Sequence, residues 1–226
     1  MVADYKPSSS VLKAMADISV LGIVGPSASG KTTIIKALVE ALPEVKFILD
    51  ETSRLPRPNE VDGVDFLFRT KEEILDDLKN GVLVQIAIGP NGDLYCTRLN
   101  SYPKDAVGVI ALVPPAVKEF RTLLIKSFQA AFIVPYNFEA WRQWLAKQAK
   151  TGNWDNEKLC SRLAEGKRSY EFALNDKSIR FILNDEIDRA VGRLEQIVAG
   201  QPPADERQAR VIAAENYAKL LKLLNK

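Results

Sequence analysis

The chain has 226 residues, 46% hydrophobic and 27% charged, which is enough to bury one substantial core and excludes a disordered or fibrous protein. Lys and Arg number 31 against 29 Asp and Glu, so the net charge of +2 gives no general attraction to nucleic acid or an anionic membrane, and we expect neither as a partner. The sequence contains no histidine, which excludes Ser-His-Asp and Cys-His catalysis, and its two cysteines lack the spacing of a zinc site.

The first 16 residues contain no long apolar run, and nowhere does the sequence reach the ~20 apolar residues that a membrane span needs. We therefore expect a flexible N-terminal segment over 1–16, no membrane contact and a cytoplasmic protein.

Apolar runs and amphipathic stretches then alternate along the chain. Strands are predicted over 18–24, 45–49, 66–68, 82–88, 107–113, 130–134 and 180–183. Helices are predicted over 32–42, 71–79, 115–126, 138–147, 156–174, 187–198 and 205–224. The polar, proline-rich segment 50–63 is predicted to be loop throughout, and 89–92 to be a turn. The alternation favours an α/β fold with right-handed crossovers around a parallel sheet.

The last predicted helix carries an apolar stripe. Its members are Val211, Ile212, Tyr217, Leu220, Leu221 and Leu224. Such a stripe packs onto its own domain or joins a second copy, so the sequence leaves open a monomer or a homodimer formed through the C-terminal helix.

The segment GPSASGKTT, from Gly25 to Thr33, matches the phosphate-binding pattern G-x-x-x-x-G-K-[ST] between a predicted strand and a predicted helix. In this pattern backbone N–H groups turn toward the phosphates, Lys31 reaches the outer phosphates and the Thr32 hydroxyl is a ligand of magnesium. We therefore predict an ATP and Mg²⁺ site. Its residues are Gly25, Ser27, Ala28, Ser29, Gly30, Lys31, Thr32 and Thr33.

A second anion site is indicated about twenty residues further on. Arg54 and Arg57 lie three residues apart on a proline-stiffened segment and can form a clamp for a phosphate group. Two phosphate sites in one chain point to phosphoryl transfer, which needs no histidine.

The segment 52–68 resembles the guanylate kinase signature T-[ST]-R-x-x-[KR]-x-x-[DE]-x-x-G-x-x-Y-x-[FY], with Phe66 in place of the tyrosine. AAFIVP at 130–135 and FILNDEIDRAVGRLEQIV at 181–198 resemble the strand before that family's lid and its closing strand and helix. The resemblance, over about 18–198, implies a three-layer P-loop kinase fold with a parallel central sheet, a small α+β acceptor-binding subdomain and a helical lid. The implied divisions are a core over 17–49, 100–144 and 166–199, an acceptor subdomain over 50–99, a lid over 145–165 and a C-terminal helix over 204–226.

The resemblance also assigns acceptor residues. Arg54 and Arg57 would bind the phosphate of the acceptor, assisted by Tyr95 and beside Phe66. Thr97 falls on a position that touches the base.

On the nucleoside triphosphate side, the resemblance assigns two residues beyond the loop. Arg162 matches a lid-helix arginine that reaches the ATP phosphates, and Asn184 matches an asparagine beside the adenine. With Lys31, Arg162 is a predicted catalytic residue.

The chain departs from the family where guanine is recognised. Gln85 stands in place of a glutamate, and Ala111 and Val113 occupy the places of two aspartates. Gln85 can still form hydrogen bonds, whereas Val113 offers a purine amine nothing. Because a buried base donor without a partner costs ~1–3 kcal/mol, specificity for GMP does not follow, and another base, a deoxynucleotide or a non-nucleotide phosphate stays open.

Asp50 and Glu51 follow the second predicted strand, at the edge where α/β proteins bind ligands. Asp50, a predicted substrate-binding and catalytic residue, could accept a base donor, hold magnesium through water, act as general base toward a hydroxyl, or simply pair with Arg54.

The leading hypothesis is an ATP- and Mg²⁺-dependent nucleoside monophosphate kinase. Two alternatives remain: a kinase of a sugar phosphate or hydroxyl acceptor with Asp50 as base, and a non-catalytic guanylate-kinase-like module that binds phosphorylated peptides.

Overall fold

The structure is a computed structural model that describes residue 2 and residues 5–57, 60–89 and 92–225. Its helices are α1 (Ser9–Met15), α2 (Lys31–Ala41), α3 (Lys71–Lys79), α4 (Pro114–Thr122), α5 (Phe138–Thr151), α6 (Asn156–Asn175), α7 (Ile187–Val198) and α8 (Glu206–Leu224). Its strands are β1 (Ser19–Val24), β2 (Val45–Phe47), β3 (Glu51–Thr52), β4 (Leu67–Phe68), β5 (Leu83–Ile88), β6 (Leu94–Arg98), β7 (Val107–Ala111), β8 (Ser127–Pro135) and β9 (Ile179–Asn184). Four predicted segments lie partly outside the described residues. They are the N-terminal segment at 1, 3 and 4, the loop at 58–59, the turn at 90–91 and the C-terminal helix at 226.

The strands form two sheets. The larger has the order β2-β7-β1-β8-β9, and β8 and β9 pair in parallel from Ala130 opposite Ile179 to Pro135 opposite Asn184. The smaller has the order β4-β3-β6-β5, with β3 and β4 parallel and β6 antiparallel to both of its neighbours. Within the described ranges, no helix is long and apolar enough to cross a membrane.

Element prediction was accurate where the ends of a helix are marked in the sequence. Helix α3 begins as predicted because Thr70 accepts a hydrogen bond from the Glu73 backbone while the Glu73 carboxylate accepts one from the Thr70 backbone. The loop prediction was wrong at Glu51 and Thr52, which form β3. A strand of two residues is too short to carry a recognisable alternation, and its partners are distant in sequence.

The chain divides into two compact units. The first comprises Met1–Val20, Lys46–Ile110 and Glu119–Phe128, and includes the predicted acceptor subdomain. Its small sheet packs on a buried cluster of Ile74, Leu78, Leu83, Ile86, Leu94 and Cys96. Tyr5 of the N-terminal segment packs on this cluster, and its hydroxyl donates to the Leu83 carbonyl at 2.6 Å. Helix α1 of the same segment has Val11 and Met15 buried.

The second unit comprises Leu21–Val45, Ala111–Lys118 and Gln129–Lys226. Its core contains the aromatic residues Phe132, Trp141, Tyr170 and Phe181. Helix α8 packs within this unit against α5, α6 and β9. The buried face of α8 consists of Ala209, Ala213, Asn216 and Leu220, so it shares only Leu220 with the predicted stripe. Val211 of that stripe is exposed, because residues three or four apart share a helix face and Val211 lies on the side away from Ala209, Ala213 and Leu220.

Candidate functional site

The glycine-rich segment of the second unit forms a tight loop between β1 and α2. A Cβ atom on Gly25 would lie 2.8 Å from Ser29 Oγ and 3.0 Å from the Ile133 carbonyl oxygen. Gly30 has φ of +91°, and a Cβ there would lie 2.5 Å from Asn184 Nδ2. Both positions therefore require glycine, which lets the backbone itself line the loop.

Lys31 lies across this loop. Its Nζ donates to the carbonyl oxygens of Gly25 at 2.8 Å and Pro26 at 2.9 Å. Burial is the largest of the effects that lower the pKa of Lys31 from 10.5 to about 8. The negative charge of Glu165 raises this pKa, and the positive charge of Arg162 lowers it further. An ammonium group that is partly removed from water and acted on by a second cation attracts an added anion.

The loop fits the phosphates of a nucleotide on three observations. The buried Ser29 hydroxyl has no partner among the described residues, so a donor is available inside the loop. The N-terminus of α2 follows directly, and its free N–H groups favour an anion. Thr32 and Thr33 are exposed on the first turn of α2. Thr32 remains the predicted ligand of Mg²⁺.

Two helices reach the loop at Ser27. From α5, the fully buried indole of Trp141 donates to the Ser27 carbonyl at 2.8 Å. From α6, the Glu165 carboxylate accepts the Ser27 hydroxyl at 3.3 and 3.4 Å and Arg162 Nη1 at 2.6 Å. Arg162 is thereby placed beside the loop. Asn184, at the end of β9, donates to the Ser29 carbonyl at 2.8 Å, while its role beside an adenine stays a prediction.

Neither Glu165 nor Trp141 was predicted from the sequence as a contact of the loop. The spacing of three residues between Arg162 and Glu165 on a predicted helix was an available signal for the pair. For Trp141 the sequence carries no signal, because its partner is 114 residues away.

In the first unit, the guanidinium group of Arg54 binds an internal anion, the carboxylate of Glu60. Its Nη1 and Nη2 donate to the two carboxylate oxygens of Glu60 at 2.6 and 2.7 Å, and its guanidinium lies 4.7 Å from the centre of the Phe66 ring. The backbone N–H of Arg57 donates to Glu60 at 2.9 Å, while the Arg57 side chain is 57% exposed. A phosphate presents oxygens with similar spacing, so the fork that holds Glu60 suits a phosphate group.

The remaining predicted acceptor residues lie on or beside the small sheet. The rings of Phe66 and Tyr95 meet edge to face with centres 6.3 Å apart. Gln85 lies directly opposite Thr97 in the β5–β6 pair. Thr97 is fully buried, and its hydroxyl forms a hydrogen bond of 2.7 Å with the Tyr102 hydroxyl.

Asp50 and Glu51 have different environments, although they are adjacent. Glu51 is fully buried and accepts hydrogen bonds from Arg69 at 2.8 Å and Arg98 at 2.6 Å, so it stabilises the first unit. Burial, with a smaller effect of the Glu51 charge, raises the pKa of Asp50 from 3.8 to about 7, and no arginine or hydrogen-bond donor of the described residues opposes this rise. The predicted alternative of an Asp50–Arg54 pair is not formed, because Arg54 binds Glu60.

The predicted site residues thus form two groups. The loop residues, Asn184 and Arg162 belong to the second unit, and Arg54, Arg57, Asp50 and the small-sheet residues belong to the first.

Known proteins provide an independent comparison. A family model described as guanylate kinase matches residues 19–201. The guanylate kinase of Corynebacterium glutamicum is 28% identical over 187 residues, covering 79% of this chain and 93% of that protein. That of Symbiobacterium thermophilum is 31% identical over 187 residues, covering 79% and 83%. That of Rhodococcus jostii is 28% identical over 214 residues, covering 91% and 99%.

A solved structure, the guanylate kinase from Anaplasma phagocytophilum, superposes with a TM-score of 0.57 at 20% identity, covering 84% of this chain and 88% of that one. This likeness confirms the predicted fold class. Since the family model covers most of the sequence, the chain belongs to the guanylate kinase family, a family of nucleoside monophosphate kinases, as the sequence predicts.

Proposed function

We propose that this protein transfers the γ-phosphoryl group of ATP, with Mg²⁺, to a nucleoside monophosphate. The observation that carries the proposal is the presence of two built anion sites in one chain of this family. One is the loop around Lys31, and the other is the Arg54 fork that already holds a carboxylate. A cytoplasmic location and the absence of nucleic-acid and membrane partners remain predictions.

The residues present supply binding, orientation and charge. The loop amides and Lys31 would hold the triphosphate, and Thr32 would bind Mg²⁺, which neutralises charge on the outer phosphates when present. Arg54, Arg57 and Tyr95 would orient the acceptor phosphate, and Arg162 would stabilise negative charge on the transferred group. An acceptor phosphate is already ionised near neutral pH, so the transfer itself needs no general base.

GMP and dGMP are the first acceptors to test, because the named relatives are guanylate kinases. We expect Gln85 to discriminate guanine from other bases less strictly than a glutamate at this position would. The amide of Gln85 offers one acceptor and two donors, so it can pair with bases that a carboxylate would reject.

We expect Gln85→Glu to favour guanine, because the carboxylate would accept hydrogen bonds from both the ring N–H and the exocyclic amine of that base. Adenine lacks this pair of neighbouring donors. The ratio of kcat/KM for GMP over that for AMP should rise ~10-fold or more. Glu119→Gln, a charge change away from the small sheet, should leave the ratio unchanged. An unchanged ratio in Gln85→Glu would show that position 85 does not contact the base.

The proposal is tested by measuring ADP release from ATP and Mg²⁺ with a panel of ribo- and deoxynucleoside monophosphates. At least one monophosphate should stimulate ADP release. Lys31→Ala should abolish binding of ATP. Arg57→Ala should raise the KM for the acceptor ~10-fold while the Kd for ATP stays the same, because Arg57 would contact the acceptor phosphate alone. Failure of every monophosphate would contradict the proposal.

One observation favours a second candidate, a kinase acting on a sugar phosphate or another hydroxyl. No cation of the described residues opposes the charge of Asp50, and its pKa of about 7 suits a general base near neutral pH. Asp50→Asn separates the two functions. A hydroxyl kinase should lose ~10²-fold or more in kcat, whereas a nucleoside monophosphate kinase should change little.

A further inference from the structure

The carboxylate of Glu165 lies among the groups predicted to bind the phosphates of ATP. It accepts Arg162 Nη1 at 2.6 Å and the Ser27 hydroxyl at 3.3 and 3.4 Å. It also acts electrostatically on Lys31, whose ammonium lies across the same loop. An amino acid side chain therefore supplies, at this place, the negative charge that a triphosphate would bring.

The surroundings explain why a negative charge is favoured there. Lys31 and Arg162 are two cations near each other, and Arg162 lowers the pKa of Lys31 while Glu165 raises it. Without an anion the two cations would repel, and partial burial of Lys31 reduces the screening of this repulsion by water. The side chain of Glu165 is 27% exposed, so it binds Arg162 while still in contact with solvent.

We propose that Glu165 is a placeholder anion of the ATP site, which balances Lys31 and Arg162 in the free protein and is displaced from Arg162 and Ser27 by the triphosphate. The inference rests on the proposed ATP-dependent function. Glu165 is in this account a positioning residue and not a catalytic one, since it acts through Arg162 and the loop.

The proposal has two consequences of opposite sign. The free protein is stabilised by Glu165, because its charge offsets the repulsion between two cations. Anion binding is weakened by Glu165, because the ligand must release Arg162 from an existing partner and then approach a neighbouring carboxylate. A residue with a merely structural role would produce the first effect alone.

The test uses Glu165→Gln, which keeps the shape of the side chain and removes its charge. Binding of inorganic tripolyphosphate, and separately of ATP without acceptor, is measured by titration calorimetry. The melting temperature is recorded without ligand. Tripolyphosphate should bind Glu165→Gln roughly 3- to 10-fold more tightly than it binds the wild type, while the melting temperature falls by a few degrees, about 2–4 °C.

Two variants serve as controls. Glu171→Gln is the same change on the same helix, at a carboxylate that pairs with Lys167, and should leave tripolyphosphate binding unchanged. Glu165→Asp keeps the charge on a shorter side chain and should bind tripolyphosphate within about 2-fold of the wild type. This second variant decides the question if Glu165→Gln folds poorly, because a shift of its affinity well beyond that range would contradict a role based on charge.

The outcomes separate the inference from the function on which it rests. Equal or weaker tripolyphosphate binding in Glu165→Gln, with normal binding in the wild type, would overturn the placeholder role alone. Absence of both ATP and tripolyphosphate binding in the wild type would overturn the proposed function and the inference together.

Discussion

At the residue scale, the adjacent carboxylates of Asp50 and Glu51 have opposite effects on the first unit. Glu51 is fully buried between Arg69 and Arg98, which offset the cost of removing its charge from water. Asp50 has no such partner in the part of the chain that the structure describes, and its pKa is raised to about 7 by burial. The sequence showed two carboxylates at a strand end but not which one would be neutralised, because the arginines come from other strands and loops.

Stability should therefore depend on pH through Asp50. Between the unfolded pKa of 3.8 and the folded value of about 7, the folded protein holds a proton that the unfolded chain has lost. The free energy of unfolding of the wild type, compared with that of Asp50→Asn, therefore falls as the pH rises from 3.8 to about 7, and this difference is constant at higher pH. Urea unfolding should show the variant to be more stable by on the order of 4 kcal/mol at about pH 8, with little difference at about pH 4. A difference that does not vary with pH would contradict this account. Glu51→Gln, the control, should be less stable at about pH 8, because Arg69 and Arg98 lose their charged partner.

At the scale of elements, α5 and α6 determine the conformation of the loop through Ser27. The sequence predicted both helices, and in the structure each begins after a capping residue, Asn137 or Asp155. It did not predict their contacts with the loop, because a hydrogen bond between residues 114 positions apart depends on tertiary packing.

Trp141→Phe tests this contact. Phenylalanine keeps most of the buried apolar bulk but removes the N–H, so the Ser27 carbonyl loses its partner and stability should fall by ~1–2 kcal/mol. The Kd for ATP should rise several-fold, roughly 3- to 10-fold, because the loop is less well ordered before binding. Trp144→Phe is the matched control on the same helix, where the ring packs on Tyr136, and it should leave the Kd for ATP unchanged. Unaltered ATP binding in Trp141→Phe would show that this hydrogen bond does not order the loop.

At the scale of the whole molecule, the sequence predicted the fold class and the family, because both depend on local patterns. The pattern from Gly25 to Thr32 and the signature from Thr52 to Phe68 are each contained within a short segment. Two carboxylates at the predicted phosphate sites, Glu60 in the Arg54 fork and Glu165 beside the loop, were not predicted as partners. Their contacts depend on side-chain conformations that a sequence pattern does not specify.

The proposed reaction is the transfer of phosphate from ATP to a nucleoside monophosphate. The test is to mix ATP, Mg²⁺ and GMP with the protein and to follow the products by phosphorus NMR. We predict that the resonances of ADP and GDP appear at equal rates, with no free inorganic phosphate, and that Lys31→Ala and Arg54→Ala suppress both. Formation of ADP and inorganic phosphate without GDP or any other nucleoside diphosphate, whichever monophosphate is supplied, would contradict the account.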